Sequence, residues 1–289
     1  MSESTTQPAE RMQCMEIWGG NHAIDKNFTA PGLDIYVHSK PFADSVVGGG
    51  DIYYLTSCAS GRISRLMLAD VCGHGEAASQ LAIALRDLMR TNVNKISQRQ
   101  FVEGMNREFG NVSEVSGFAT AVVATFFEPK RSLAISVAGH PYPIYYSAQQ
   151  NKWVHLDPAE SDKALGNLPL GIYDESDYPG RKITTEVGDM FLLYSDAFIE
   201  SVNNDKRILG IKGLVELLNH RSFETPTQII PYLLEQIGSL ADGNLKDDDA
   251  TLILGAITET KVRMRDNIIA PFRLLGKVND ATGTDGQGS

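Results

Sequence analysis

Several features are scarce or missing in this 289-residue chain, and each absence removes a class of protein. Only three cysteines occur, Cys14, Cys58 and Cys72, with no CxxC spacing. That scattered, odd-numbered set argues against a disulfide framework or a zinc ribbon and suits a reducing compartment. No run approaches the roughly 18–20 apolar residues that a bilayer-crossing helix needs. The polar start, Met1 to Arg11, lacks the apolar stretch of a secretory signal. A soluble, cytoplasmic protein is expected, with membrane association disfavoured. Basic residues are outnumbered, 26 Lys and Arg against 36 Asp and Glu, for a net charge of −10. Such a surface repels phosphate backbones, so nucleic acid is not an expected partner.

Internal repeats and a Pro/Ser-rich linker are also missing, which makes one domain the simplest organisation. With 42% hydrophobic and 21% charged residues the chain has enough for a core. Residues 1–12 read as a disordered lead, 13–258 as the domain with an N-terminal arm, and 259–289 as a partly disordered extension. Within that extension, Lys261, Arg263, Arg265, Arg273 and Lys277 alternate with apolar residues. A docked terminal helix broken by Pro271 is expected there, ahead of a membrane- or partner-binding segment.

Short β-prone runs dominate what is present: Leu33–Ser39, Ile52–Cys58, Ile63–Val71, Phe118–Glu128, Arg131–Ala138, Tyr142–Ser147, Lys182–Val187, Met190–Tyr194 and Ala250–Ile257. Glu128-Pro129-Lys130-Arg131 marks a tight hairpin connection. Helical periodicity appears from Glu76 to about Thr91, where Ala78, Leu81, Ala82, Leu85, Leu88 and Met89 form one apolar face. Ser97 followed by Gln100 caps a second helix through about Phe109. Thr225-Pro226 opens a third, to about Ile237, which Pro231 should bend. Adjacent strands and consecutive helices predict an α+β fold with antiparallel sheets flanked by helices, rather than βαβ alternation.

Four aspartates stand at the edges of such runs. Asp51 follows Gly48-Gly49-Gly50, Asp70 ends Leu66-Met67-Leu68-Ala69, Asp196 follows Tyr194-Ser195, and Asp247-Asp248-Asp249 precedes Ala250. Aspartate is rare in strands and costly to bury unless paired or metal-bound. Carboxylates delivered to one sheet edge would make an all-oxygen site for Mg²⁺ or Mn²⁺, with no His/Cys cluster to favour zinc. A turn or capping role explains any one of them as well, and spacing alone does not choose.

The segments Gly49-Gly50-Asp51, Asp70-Val71-Cys72-Gly73-His74-Gly75, Ala138-Gly139-His140-Pro141, Gly188-Asp189, Tyr194-Ser195-Asp196-Ala197 and Asp248-Asp249-Ala250-Thr251 occur in that order. Together they resemble the PPM family of metal-dependent phosphatases, in its bacterial sporulation stage II E (SpoIIE-like) branch, over roughly residues 33–258. The resemblance implies a central β-sandwich of two antiparallel sheets flanked by antiparallel helix pairs. It implies a protein-serine/threonine phosphatase with two divalent ions, Mn²⁺ or Mg²⁺, and a phosphorylated protein substrate in bacterial signalling. Asp70 would bridge both ions, with the Val71 carbonyl and Asp51 on one side and Asp196 and Asp248 on the other. Two such ions, about 3.5–4 Å apart, lower the pKa of a bridging water, so that hydroxide attacks phosphorus without a phosphoenzyme.

The pattern departs from that of the family at two points and leaves one ligand to be chosen. The general-acid histidine expected two residues after Asp70 is replaced by Cys72, and His74 becomes the candidate acid. The alternative is that His74 opens the helix and bonds locally. Ala197 stands where glycine is usual, and Asp248 is favoured over Asp249 as ligand. Cys72 beside the site suggests redox sensitivity, and His140 a structural hydrogen bond. Trp18-Gly19-Gly20-Asn21, outside the motif set, is expected to pack the N-terminal arm.

Branch analogy points to a phosphorylated anti-sigma-factor antagonist as substrate. With this length, no sensor domain is expected ahead of the catalytic one, and control is expected to come from a partner if there is any. The competing class is a catalytically silent phosphatase-like domain that binds phosphoproteins as a regulator or scaffold. A degenerate relative would lack one of the acids, whereas all four positions are filled. Hydrolysis of small phosphoesters is a third reading.

Overall fold

The computed structural model describes residues 10–11, 16–42, 48–58, 62–72, 76–93, 95, 97–112, 117–156, 167–259 and 279–280. Most of the anticipated lead and extension therefore lie outside the described residues, as does the basic segment 261–277.

Two seven-stranded sheets form the centre. The first runs in spatial order β1 (Glu10–Arg11), β3 (Ile24–Ala30), β4 (Leu33–Lys40), β13 (Ala250–Ile257), β12 (Met190–Tyr194), β9 (Ile144–Ser147) and β10 (Lys152–His155). The second runs β11 (Arg181–Thr184), β8 (Ser132–Ala138), β7 (Ala119–Phe127), β6 (Ile63–Val71), β5 (Asp51–Cys58), β2 (Glu16–Gly20) and β14 (Asn279–Asp280). Neighbours pair antiparallel except at two sheet edges, where β1 lies parallel to β3 and β14 parallel to β2.

Pleat parity sorts the side chains into layers. On β6, Leu66 and Leu68 point between the sheets, meeting Val37, Phe191, Leu193 and Ile253 of the first sheet. The alternate residues Met67, Ala69 and Val71 face outward onto helices α1 (Glu76–Asn92) and α2 (Gln98–Val112). Arg65 shares that outward parity. Its buried guanidinium bonds the Val93 and Lys95 carbonyls at the end of α1 and stacks on Phe101 at 4.3 Å. On the far side, Leu192, Leu252 and Leu254 pack against helices α4 (Gly210–Asn219) and α5 (Ile229–Leu240). The result is a four-layer helix–sheet–sheet–helix sandwich, the predicted class.

Differences from expectation are local. Strands β2, β3 and β10 and helix α4 join the predicted elements. Pro231 does not bend a helix: it sits in the first turn of α5, where backbone N–H groups have no intrahelical partner. The chain instead opens as a 3₁₀ turn, Pro226–Gln228, since a continuous α-helix would require a donor that Pro231 lacks. Among the described residues no helix is long and apolar enough to cross a membrane.

Candidate metal centre

Asp51 and Asp70 are brought together by register and parity. In the β5–β6 ladder Asp51 lies directly opposite Asp70. Both share the parity of the inter-sheet residues, Tyr53 and Leu55 on β5, Leu66 and Leu68 on β6. They therefore point into the mouth of the sandwich at the point where the apolar filling ends. The first sheet delivers the other two acids to the same end. Its β12–β13 ladder pairs Tyr194 with Leu252, which sets Asp196, just past β12, beside Asp248, just before β13.

The electrostatics of the acids is mutual. Asp70 is pushed up to about 7, first by burial and then by Asp196, Asp248 and Asp249. Burial, followed by Asp70, holds Asp51 well above the usual carboxylate range, and the Ser195 and Thr251 hydroxyls oppose that rise only in part. Asp196 is raised by burial, then by Asp248 and Glu200. Asp51 is 3% exposed, and its Oδ2 has no hydrogen-bond partner.

Space for a cation is visible at Gly50. A Cβ placed there would stand 3.1 Å from Asp70 Oδ1 and 3.2 Å from the Val71 carbonyl oxygen. Those two predicted ligand atoms, with Asp249 Oδ2 at 3.5 Å, border the space that glycine leaves open. Among the described residues, no three His, Cys, Asp or Glu side chains are drawn into a ready coordination cluster. The acids are near enough to repel one another and not collapsed together. An all-oxygen donor set, a partnerless buried carboxylate oxygen and an open cradle fit a hard divalent cation.

Supporting contacts fix the ligand-bearing corners. Ser195 exchanges backbone and hydroxyl bonds with Thr251, and its Oγ donates to the Asp249 carbonyl at 3.3 Å. His140, 4% exposed, bridges the sheets. Its Nε2–H donates to the Tyr194 carbonyl at 3.1 Å, so its Nδ1 accepts the Thr120 hydroxyl at 2.9 Å. Thr120 lies opposite Asp70 in the β6–β7 ladder, and Tyr194 is two residues from Asp196. Burial pushes His140 down to about 4, partly opposed by the Tyr194 bond, which keeps it neutral and structural as expected. Ala197 needs no glycine-like conformation, because Asp196 is right-handed (φ −61) and Ala197 begins the short helix α3 (Ala197–Glu200).

His74 and its flanking glycines lie outside the described residues. Cys72 is partly exposed, and its Sγ accepts the Phe118 N–H at 3.2 Å. Gly188-Asp189 belongs to the far end of β12 and to no part of this centre. Two residues named from the sequence turn out to have roles it did not assign. Asn21 receives Gly49 N–H on its carbonyl at 2.9 Å and donates from Nδ2 to the Gly49 carbonyl at 3.0 Å. The Trp18–Asn21 segment thus joins the sheet through β2 and holds the glycine turn as well. Its cue was an asparagine after two glycines. The second contributor is Asp249, whose carboxylate faces backbone.

This four-layer sandwich with acids at one mouth is the fold of a PP2C phosphatase domain. The PP2C phosphatase domain of SpoIIE from Bacillus subtilis superposes with a TM-score of 0.65 at 16% identity, over 79% of this chain and 64% of that one. RsbX in complex with magnesium superposes with a TM-score of 0.59 at 16% identity, over 81% of this chain and 100% of that one. Residues 60–256, more than half of the chain, match the Stage II sporulation protein E (SpoIIE) family, and the chain belongs to it. Phosphoserine phosphatase RsbU of Bacillus subtilis is 26% identical over 226 residues, covering 77% of this chain. The chain spans 63% of that relative's length.

Proposed function

We propose that the chain is a metal-dependent protein phosphatase that hydrolyses phosphoserine or phosphothreonine on a bacterial regulatory protein. The observation that carries this is the pairing of Asp51 with Asp70 on one sheet, with Asp196 and Asp248 of the other sheet close enough to Asp70 to raise it by their charge. Asp51, Asp70 and the Val71 carbonyl would hold one divalent ion, and Asp70, Asp196 and Asp248 a second. Bound Mn²⁺ or Mg²⁺ would supply acidification of water and neutralise charge on the phosphoryl oxygens.

The chain's own residues define the rest of the chemistry. Partial burial of Asp70 and full burial of Asp51 keep the carboxylates poorly hydrated, which strengthens their attraction for cations. His140 ties the strand of Thr120 in the second sheet to the end of β12 in the first, while the Ser195–Thr251 bonds hold the Asp196–Asp248 corner within the first sheet. In the reaction a water oxygen bonds to phosphorus and the bond from phosphorus to the serine oxygen breaks. The serine oxygen leaves with a proton, yielding inorganic phosphate and a free hydroxyl. RsbU's description as a phosphoserine phosphatase supports serine as the substrate residue, and an anti-sigma-factor antagonist is the proposed kind of protein. The proposed catalytic unit is residues 13–258.

The test is turnover of p-nitrophenyl phosphate and of a phosphoserine peptide with Mn²⁺, with Mg²⁺ and with EDTA. Metal-dependent release of phosphate is expected. Folded protein that stays inactive with either ion would overturn the proposal in favour of a silent phosphoprotein-binding domain.

A further inference from the structure

Adjacent aspartates at 248 and 249 have different surroundings. Asp248 is exposed and accepts the N–H of Asp249 at 2.8 Å. Asp249 is turned into the protein. Its Oδ1 accepts the Phe42 N–H at 2.6 Å, and its Oδ2 accepts the Gly50 N–H at 2.5 Å and the Asp51 N–H at 3.3 Å. One side chain thus joins the segment just after β4, the glycine turn and the first residue of β5. It ties the first sheet to the second across the mouth of the proposed centre.

We infer that Asp249 is a positioning residue for the metal centre, acting on the Gly48–Gly50 turn, and that its role demands a carboxylate. The inference rests on the reading of Asp248 as a ligand given above. All three partners of Asp249 are N–H donors, distributed over both of its oxygens. A carboxylate accepts on both, whereas a carboxamide accepts on one and presents an N–H₂ with the other. Asparagine at 249 would therefore set donor against donor and leave a backbone N–H unsatisfied.

The turn is shaped around this carboxylate. A Cβ at Gly49 would fall on the Asp249 side chain, so only glycine leaves room for it. Gly48 adopts a positive φ of 96°, and a Cβ there would run into Asn21. With Asn21 bonding Gly49 on one flank and Asp249 bonding Gly50 on the other, the turn has little freedom. Gly50 in turn receives the Val71 N–H on its carbonyl at 3.2 Å. Its position sets the width of the space that Asp70 Oδ1 and the Val71 carbonyl border. Asp249 Oδ2 itself stands 3.5 Å from the Gly50 Cβ position, but its bonds to the Gly50 and Asp51 N–H groups commit it to backbone placement rather than to a ligand's role.

The experiment compares full-length wild type, Asp249→Asn, Gly49→Ala and Asp248→Asn. Each is titrated with Mn²⁺ by calorimetry, melted in EDTA, and assayed on p-nitrophenyl phosphate across a Mn²⁺ series. Asp249→Asn should melt lower than wild type in EDTA and bind Mn²⁺ roughly 10- to 100-fold more weakly, the usual cost of losing a supporting partner. Its turnover should climb back toward wild type as Mn²⁺ is raised. Gly49→Ala should change in the same directions, and it carries the test if Asp249→Asn does not fold. Asp248→Asn should melt no lower than wild type in EDTA, with turnover that excess Mn²⁺ does not restore. Wild-type melting and Mn²⁺ affinity in Asp249→Asn, or in Gly49→Ala where that variant stands in, would overturn the inference. So would lost Mn²⁺ affinity with wild-type melting in EDTA, since Asp249 would then be a ligand. A wild type that binds no Mn²⁺ defeats the proposed function, while the EDTA melts still decide whether Asp249 holds the turn.

Discussion

Strand β12 has an aspartate beyond each end, and the two are used in opposite ways. Before its start, Asp189 is 4% exposed and fully bonded. Its Oδ2 accepts the Tyr145 hydroxyl at 2.5 Å and the Glu186 N–H at 2.7 Å, and its Oδ1 accepts the Ala148 N–H at 2.9 Å. Beyond the other end, Asp196 faces Asp248 and Glu200 and is raised by burial and by their charge. On the other sheet, Asp51, paired with Asp70, is as buried as Asp189, yet its Oδ2 has no partner. Burial alone does not separate the two kinds of aspartate. Donors on both oxygens complete Asp189 as a turn clamp, whereas carboxylates that face carboxylates still need a positive partner, which the proposed function supplies as a cation.

The comparison is broken most severely at the site end. Asp70→Asn and Asp196→Asn should each lower metal-supported turnover by on the order of 10²-fold or more. In EDTA, Asp70→Asn should melt at or above wild type, because burial and neighbouring acids make its charge unfavourable near neutral pH without a cation. The opposite pattern is expected at the clamp end. Asp189→Ala should cost about 3 kcal/mol in urea unfolding, since it strands buried donors, while turnover of the folded variant at saturating Mn²⁺ stays near wild type.

His140 sharpens the contrast through pH. Its folded pKa of about 4 lies below the value of about 6.5 for a free histidine, so the folded state resists protonation. The stability it contributes is complete above about pH 6.5 and is lost as pH falls toward 4, about 3 kcal/mol in all. Urea midpoints of wild type and His140→Gln measured at pH 7 and pH 4.5 should converge at the lower pH. Parallel curves would remove His140 from the strut between Thr120 and Tyr194. The smallest effect is expected at the corner itself. Ala197→Gly should leave turnover unchanged and lower stability by up to about 1 kcal/mol, because Ala197 opens a right-handed helical turn.

Much of the fold was legible along the chain. Strands β6, β12 and β13 match their apolar runs to the residue, since strands buried on both faces read as continuous hydrophobic stretches. Edge and half-exposed strands such as β3, whose sequence Ile24–Ala30 mixes Asp, Lys and Asn with apolar residues, carry no such signal. Helix α4 was hidden by Gly210 and Gly213 despite apolar residues at Ile211, Leu214, Val215 and Leu218. The site aspartates were visible as strand-end acids, but nothing in the sequence showed that Asp189, next to the same strand as Asp196, is a bonded clamp.

What the sequence by itself determined was the layered class and the acids that could meet, because burial periodicity and the cost of an interior carboxylate are local properties. Only the tertiary structure decided which of them meet. The β5–β6 register sets Asp51 opposite Asp70, and pleat parity turns both into the sandwich mouth. It also decided that Asp248 faces acids while Asp249 faces three backbone donors. Donors from Phe42, Gly50 and Asp51 lie some two hundred residues away along the chain, and no local pattern encodes such a distance.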